Sequence, residues 1–257
     1  MNPGVPVLLL AGLAYGVRAR RLALSGRPVR PLRCLSFSTG LALILAALVA
    51  PLDASFSAHM AQHLLLGDLG AILVVLGLSG PLLRPLLSFR AVRRLRALAH
   101  PAAALPLWAA NLYLWHLPPL FDAALEHEPL HGLQHACFFT AGLLLWAAVL
   151  EPLRGPSWFG AGWKAFFVVL VGAAAAVLAN VFIWSAAPVY DHYHSPTDQR
   201  AGGAIMLLEG IAVTLTAFAW FFLRWMRETE ARQRLVESGE DPLAAARAVR
   251  YGRAALK

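Results

Sequence analysis

Seven apolar stretches alternate along this chain with short charged segments, and that alternation leaves few folds open to it. A bilayer core is crossed by about 20 apolar residues in helical form, within a range of roughly 17–25. The stretches cover approximately residues 3–17, 35–52, 56–78, 101–116, 130–150, 164–186 and 202–223, the first being short. Hydrocarbon offers no partner to a bare peptide group, so single stretches of this kind cross as helices. Composition agrees: 59% of the 257 residues are hydrophobic and 14% charged, against about 45–50% and about 25% in soluble domains. The expected fold is an all-α, polytopic membrane helical bundle of about seven transmembrane helices. Its domain runs over residues 1–225, with a basic tail over 226–257.

The charged segments give the bundle an orientation. Of the 22 lysines and arginines, only Arg200 falls outside one set of alternate loops, represented by Arg18–Arg33, Arg84–Arg96, Arg154 with Lys164, and the region from Arg224 onward. The opposite loops carry Asp53, Asp122, Glu126, Glu128, Asp191 and Asp198. Basic loops stay in the cytoplasm, so the N-terminus is expected outside and the tail inside. The net charge of +8 arises from these loop clusters, which speaks against nucleic acid as a partner and for membrane lipid. No basic segment or A-x-A site brackets the first apolar run, which reads as a retained span. Cys34 and Cys137 form no CxxC and are far apart in sequence, which argues against a disulfide framework.

The histidines partition the other way. All nine except His100 fall on the outer side. His59 and His63 lie four apart at the outer end of the third stretch, and His131 and His135 repeat that spacing at the start of the fifth. Residues i and i+4 share a helix face. His116 closes the fourth stretch within WHLPP, where the prolines stop the helix. Three helices thus offer five imidazoles near one depth, a donor set suited to copper or zinc, and Met60 adds a thioether that favours Cu(I). A single interfacial histidine is commonly just solvated, and His-x-x-x-His arises readily by chance. The metal reading rests on the combination. His127, His192 and His194 sit in loops and read as capture or solvated groups.

Asp68 and Glu209 are ionisable residues within apolar stretches, where such groups default to a functional or paired role. Asn111 and Asn180 are candidates for bonds between helices. The chain has no nucleophile elbow, P-loop or dinucleotide fingerprint, and no acid–base pair around a nucleophile, so it reads as a protein that is not an enzyme.

Four ordered segments carry a resemblance: HMAQHLLLG from His59, LWHLPPLFDAAL from Leu114, LHGLQHACFFTAGLLLW from Leu130, and DQRAGGAIM from Asp198. Together they resemble the CtaG family, multi-span assembly factors for caa3-type cytochrome c oxidase, over about residues 30–224. The histidines matching the family's motifs are His59, His63, His116, His131 and His135, and its Asp-Gln pair corresponds to Asp198 and Gln199. The chain departs from the pattern at Asp68 and at Glu209. The resemblance implies a multi-pass protein of the bacterial plasma membrane that acts with cytochrome c oxidase subunits and handles copper. A haem-binding membrane cytochrome or haem-handling factor, and a copper permease, stand as alternatives.

Overall fold

The computed structural model describes residues 4–50 and 52–251. Pro3 of the first expected stretch, and Arg253 and Lys257 of the tail, lie outside them. All regular secondary structure among the described residues is helical, with no strand. Packing divides the chain into two units, residues 1–154 with 175–207, and residues 155–174 with 208–257.

The first unit begins with α1 (Gly4–Leu24) and α2 (Pro31–Val49). Next comes α3 (Phe56–Leu64), which winds directly into a π-helical segment (Leu65–Gly70) and then α4 (Ala71–Gly77). After a short turn of helix, α5 (Gly80–Leu83), the basic segment forms α6 (Arg90–Leu98), and α7 (Pro101–Trp115) follows. The expected loop after His116 is itself largely helical: α8 spans Pro118–Glu126. The paired prolines end α7 and also start α8, because proline at the first helical positions lacks only an N–H that has no partner there. The unit continues with α9 (Glu128–Leu150) and, from residue 175, the second part of α10 (Ala161–Trp184). It closes with the start of α11 (Pro196–Glu237), which runs unbroken past the expected boundary at 225/226.

Five helices are long and apolar enough to cross a membrane: Pro31–Val49, Phe56–Gly77, Glu128–Leu150, Ala161–Trp184 and Pro196–Glu237. Two expected stretches fall short on that measure. Arg18, Arg20 and Arg21 occupy the last turns of α1, and α7 has 15 residues, about 22 Å at 1.5 Å per residue against a core of about 30 Å.

Close backbone approach locks the middle of the first unit. A Cβ on Gly142 of α9 would collide with the Gly67 carbonyl of the π segment, so only hydrogen fits there. One turn further on, the Trp146 indole N–H donates to Asp68 Oδ1 at 2.6 Å. These two contacts fix α9 against the α3–π–α4 helix. On the other side α2 also comes close: a Cβ on Gly77 would meet Phe37 Cβ at 2.5 Å. An apolar cluster of Leu8, Phe37, Ile44, Ala47, Leu66 and Val74 fills that side. Arginine serves the far end of α4. Arg33 donates to the Leu76 carbonyl at 3.1 Å and to that of Leu78, and Arg18 to that of Pro81 at 3.0 Å. Carbonyls at a helix C-terminus lack intrahelical donors, and a guanidinium supplies them together with a favourable charge.

In the second unit α12 (Pro242–Arg250) is capped by Asp241. Arg250 donates to the carbonyls of Pro156 and Phe159 at 3.1 and 3.0 Å, which ties this part of the tail to the 155–160 segment. Lys164, also in this unit, is buried, with its ammonium 5.5 Å from the Phe221 ring centre. Asn180 of the first unit corrects the expectation of a bond between helices. It donates to Ala176 and accepts from Trp184, both on its own helix.

Candidate metal centre

Helix α3 starts where Ser55 accepts a bond from the Ala58 N–H at 3.3 Å, and Asp198 of α11 takes the Phe56 N–H at 2.7 Å. Two oxygens thereby satisfy donors that the first turn leaves open. Gln199 holds the 185–195 loop, accepting from Val189 N–H at 2.6 Å and donating to the Phe182 carbonyl at 3.2 Å. The Asp-Gln pair thus builds the frame around the first turns of α3 and leaves the donor cluster to other residues.

Those first turns present His59 and His63 to α9 and α7. The His59 ring stacks on His131 at 5.2 Å between centres and meets His63 at 4.3 Å. His63 in turn lies 5.5 Å from His135 and 5.9 Å from His116, and His131 and His135 are 4.2 Å apart. All five histidines expected from the sequence therefore meet in one network drawn from α3, α9 and the C-cap of α7. Ligand atoms of His59, His63 and His131 all lie within 4.8 Å of one another. The stripe His131, His135, Phe138, Gly142 explains the convergence: one face of α9 carries two imidazoles and then the glycine that lets the helix close in.

The network is dry at its base and wet at one edge. His59, His63, His116 and His135 are buried, whereas the His131 side chain is 16% exposed and that of Asp53 is 48% exposed. Asp53 is the residue that sequence reasoning left among generic loop acids. Its carboxylate accepts from His59 Nδ1 at 3.0 Å and lies 3.7 Å from His131 Nε2. The hydrogen bond from His59 pulls the Asp53 pKa below the usual carboxylate value, against the opposing effect of burial. Burial pushes the Tyr193 phenol up, and its hydroxyl donates to the Asp53 carbonyl at 3.0 Å.

These bonds set tautomers. With Nδ1–H donated to Asp53, a neutral His59 keeps its lone pair on Nε2, and that atom is buried with no hydrogen-bond partner. His116 is in the same state: Nδ1 donates to the Leu112 carbonyl at 2.7 Å and Nε2 is unpartnered. Nε2 of His131 and of His135 is likewise buried and without a hydrogen bond, and His63 leaves both nitrogens so. Buried polar atoms are rarely orphaned. An imidazole whose one nitrogen is held by a carboxylate or a carbonyl is the ordinary arrangement of a metal ligand. The donor set fits a soft or borderline cation.

Around this lies an aromatic shell. Phe121 stacks on Tyr190 at 3.8 Å, Phe138 lies 4.4 Å from His63, and the Tyr190 hydroxyl donates to the His116 carbonyl at 2.9 Å. Met60 is fully buried in the same apolar cluster as Phe121 and Met206. Gln62 and Gln134 are buried as well; Gln62 donates to the Ala47 carbonyl at 2.7 Å, and both amide atoms of Gln134 are unpartnered. Helical spacing from His131 was the signal that would have placed Gln134 on this face. His127, His192 and His194 are exposed. His100 caps the N-terminus of α7 through Nδ1, a structural use.

Several helices are long and apolar enough to cross a membrane, and the first unit holds a buried imidazole cluster lined by aromatic rings, the features of a helical membrane protein with a polar centre. The family model for the caa3 cytochrome c oxidase assembly factor matches residues 13–228, and the chain belongs to that family. Two further relatives are uncharacterized proteins of Mycobacterium bovis and Mycobacterium tuberculosis, each 29% identical over 172 residues. The match covers 58% of this chain and 25% of each relative, so the chain spans about a quarter of their length. No solved structure matches.

Proposed function

We propose that this protein takes part in cytochrome c oxidase assembly by holding copper at His59, His63, His116, His131 and His135 and passing it to an oxidase subunit. It does so without catalysing a covalent reaction. The observation that carries this reading is the set of buried, unpartnered imidazole nitrogens brought together from three helices. Family membership supplies the oxidase as recipient. Copper is cargo here: the imidazoles bind it, Asp53 orients His59, and the aromatic shell keeps water away from all but one edge. Two of the groups a permease would draw on hold the helices themselves, Asn180 bonding within its own helix and Asp68 to Trp146 of α9.

The reading includes seven crossings of the bacterial plasma membrane, with the N-terminus outside and the tail in the cytoplasm. Contacts in the first unit favour counting α1 and α7. Tyr15 of α1 donates to the Gly77 carbonyl, at the opposite end of the α3–π–α4 helix from the histidines. Helix α7 brings the chain to His116, beside His63, and the basic α6 stands at its other end.

Elemental analysis of detergent-purified protein, beside the His59→Ala/His63→Ala variant, tests the metal. Copper bound by the native chain and lost from a correctly inserted variant is expected, with oxidase activity falling in cells that carry the variant. Iron with a Soret band would replace the reading with a haem-handling one. Full oxidase activity in the variant at normal expression would remove the ligand assignment.

A further inference from the structure

Five imidazoles exceed what one copper ion takes. A four-coordinate shell closed by protein ligands tends to be structural and slow to exchange, and here three donors already form a compact set: His59, His63 and His131, within 4.8 Å of one another. His116 and His135 lie 5.9 and 5.5 Å from His63 between ring centres, His135 also 4.2 Å from His131, each with a buried Nε2 that has no hydrogen-bond partner. His63 is common to both sets. Among the five it is the one with both ring nitrogens buried and unpartnered, whereas Nδ1 of His59 is held by Asp53 and Nδ1 of His116 by the Leu112 carbonyl. Exposure marks one edge of the cluster: His131 and the half-exposed Asp53 lie there, while His59, His63, His116 and His135 are buried.

Resting on the copper reading above, we propose that the cluster offers one copper ion two positions in succession: an outer one on His59, His63 and His131, and an inner one on His63, His116 and His135. His63 remains a ligand to both. Movement inward is ligand exchange at constant oxidation state: bonds to His59 and His131 break as bonds to His116 and His135 form. No proton or electron is required. Copper enters at the Asp53 edge, and the inner position holds it away from water.

Full-length protein in detergent, loaded anaerobically with one equivalent of Cu(I), is mixed with excess water-soluble Cu(I) chelator and copper release is followed in time. Two phases are expected, a fast one from the outer position and one at least tenfold slower from the inner. His131→Ala is expected to retain copper and release it in the slow phase, and His116→Ala to release it in the fast phase alone. His63→Ala is expected to bind none. Size-exclusion elution and circular dichroism of each variant confirm that it is folded, and His116→Gln and His131→Gln serve where an alanine variant is not. A single release phase in the native chain, or loss of all copper from folded His131→Ala, would overturn the two positions while leaving the copper reading intact. A native chain that binds no Cu(I) would overturn both.

Discussion

Asp53 contributes most to the cluster for a residue that binds at its edge. By accepting the His59 Nδ1 proton it fixes both the ring plane and the nitrogen left to bind. Such second-layer carboxylates typically change metal affinity by about 10–100-fold when removed. Asp53→Asn is therefore expected to weaken Cu(I) binding by that order in a chelator competition, without loss of the fold. An unchanged affinity would mean that His59 is oriented by its packing alone. The same bond has a pH signature. The folded-state pKa of Asp53 is depressed, so its stabilising contribution is complete above the unfolded carboxylate value of about 4 and disappears as pH falls through the lower folded value. Acid unfolding of the native protein should include that component below about pH 4, and Asp53→Asn should lack it. The half-exposed position keeps the effect small.

At the scale of elements, the cluster depends on how near α9 comes to the π segment, and Gly142 sets that distance. Gly142→Ala is expected to lower stability by about 1–3 kcal/mol as an overpacked contact, read as a lower midpoint in detergent unfolding, and to loosen copper binding through His131 and His135. Gly16→Ala on α1 is the control. A Cβ there meets nothing within 4 Å, so the better helix former should leave stability equal or raise it by up to about 1 kcal/mol. Equal loss in both variants would mean that the Gly142 contact carries no special weight. Much of this level was legible in the sequence. The i, i+4 pairs on α3 and α9 follow from spacing, and the apolar runs located α2, the Phe56–Gly77 helix, α9 and α10 to within a few residues, whereas α1 and α11 run on well past theirs. Other features were not legible. The π winding leaves no mark in LLGDLG that separates it from an ordinary turn, and α8 was hidden because a proline pair signals a stop as readily as a start.

The molecule as a whole raises a question of sides. The sequence placed the histidines at one depth by assuming that all the runs cross, and adjacency of α3, α7 and α9 is a tertiary fact that spacing along the chain does not encode. Their meeting was the part that required the fold. Asp53 was missed for the same reason: six positions before His59, it looks like any loop acid until the turn at Leu52–Ala54 brings its carboxylate to His59 Nδ1. The topology makes a plain prediction. A periplasm-active phosphatase inserted after Glu126 should be active, and one fused after Arg232 inactive, with a cytoplasm-active fluorescent reporter giving the reverse. Equal behaviour at the two sites would reject the seven-crossing arrangement, because an odd number of spans separates them in it.

Residues 65–70 wind more loosely than the α-helix on either side, so the angular phase of Phe56–Leu64 is set separately from that of Ala71–Gly77. One half of the helix faces imidazoles; the other faces α2 and its phenylalanine. Repacking of that half against α2 can therefore proceed without re-aiming His59 and His63. A loosened turn in mid-helix divides the helix into two parts that can diverge at different rates.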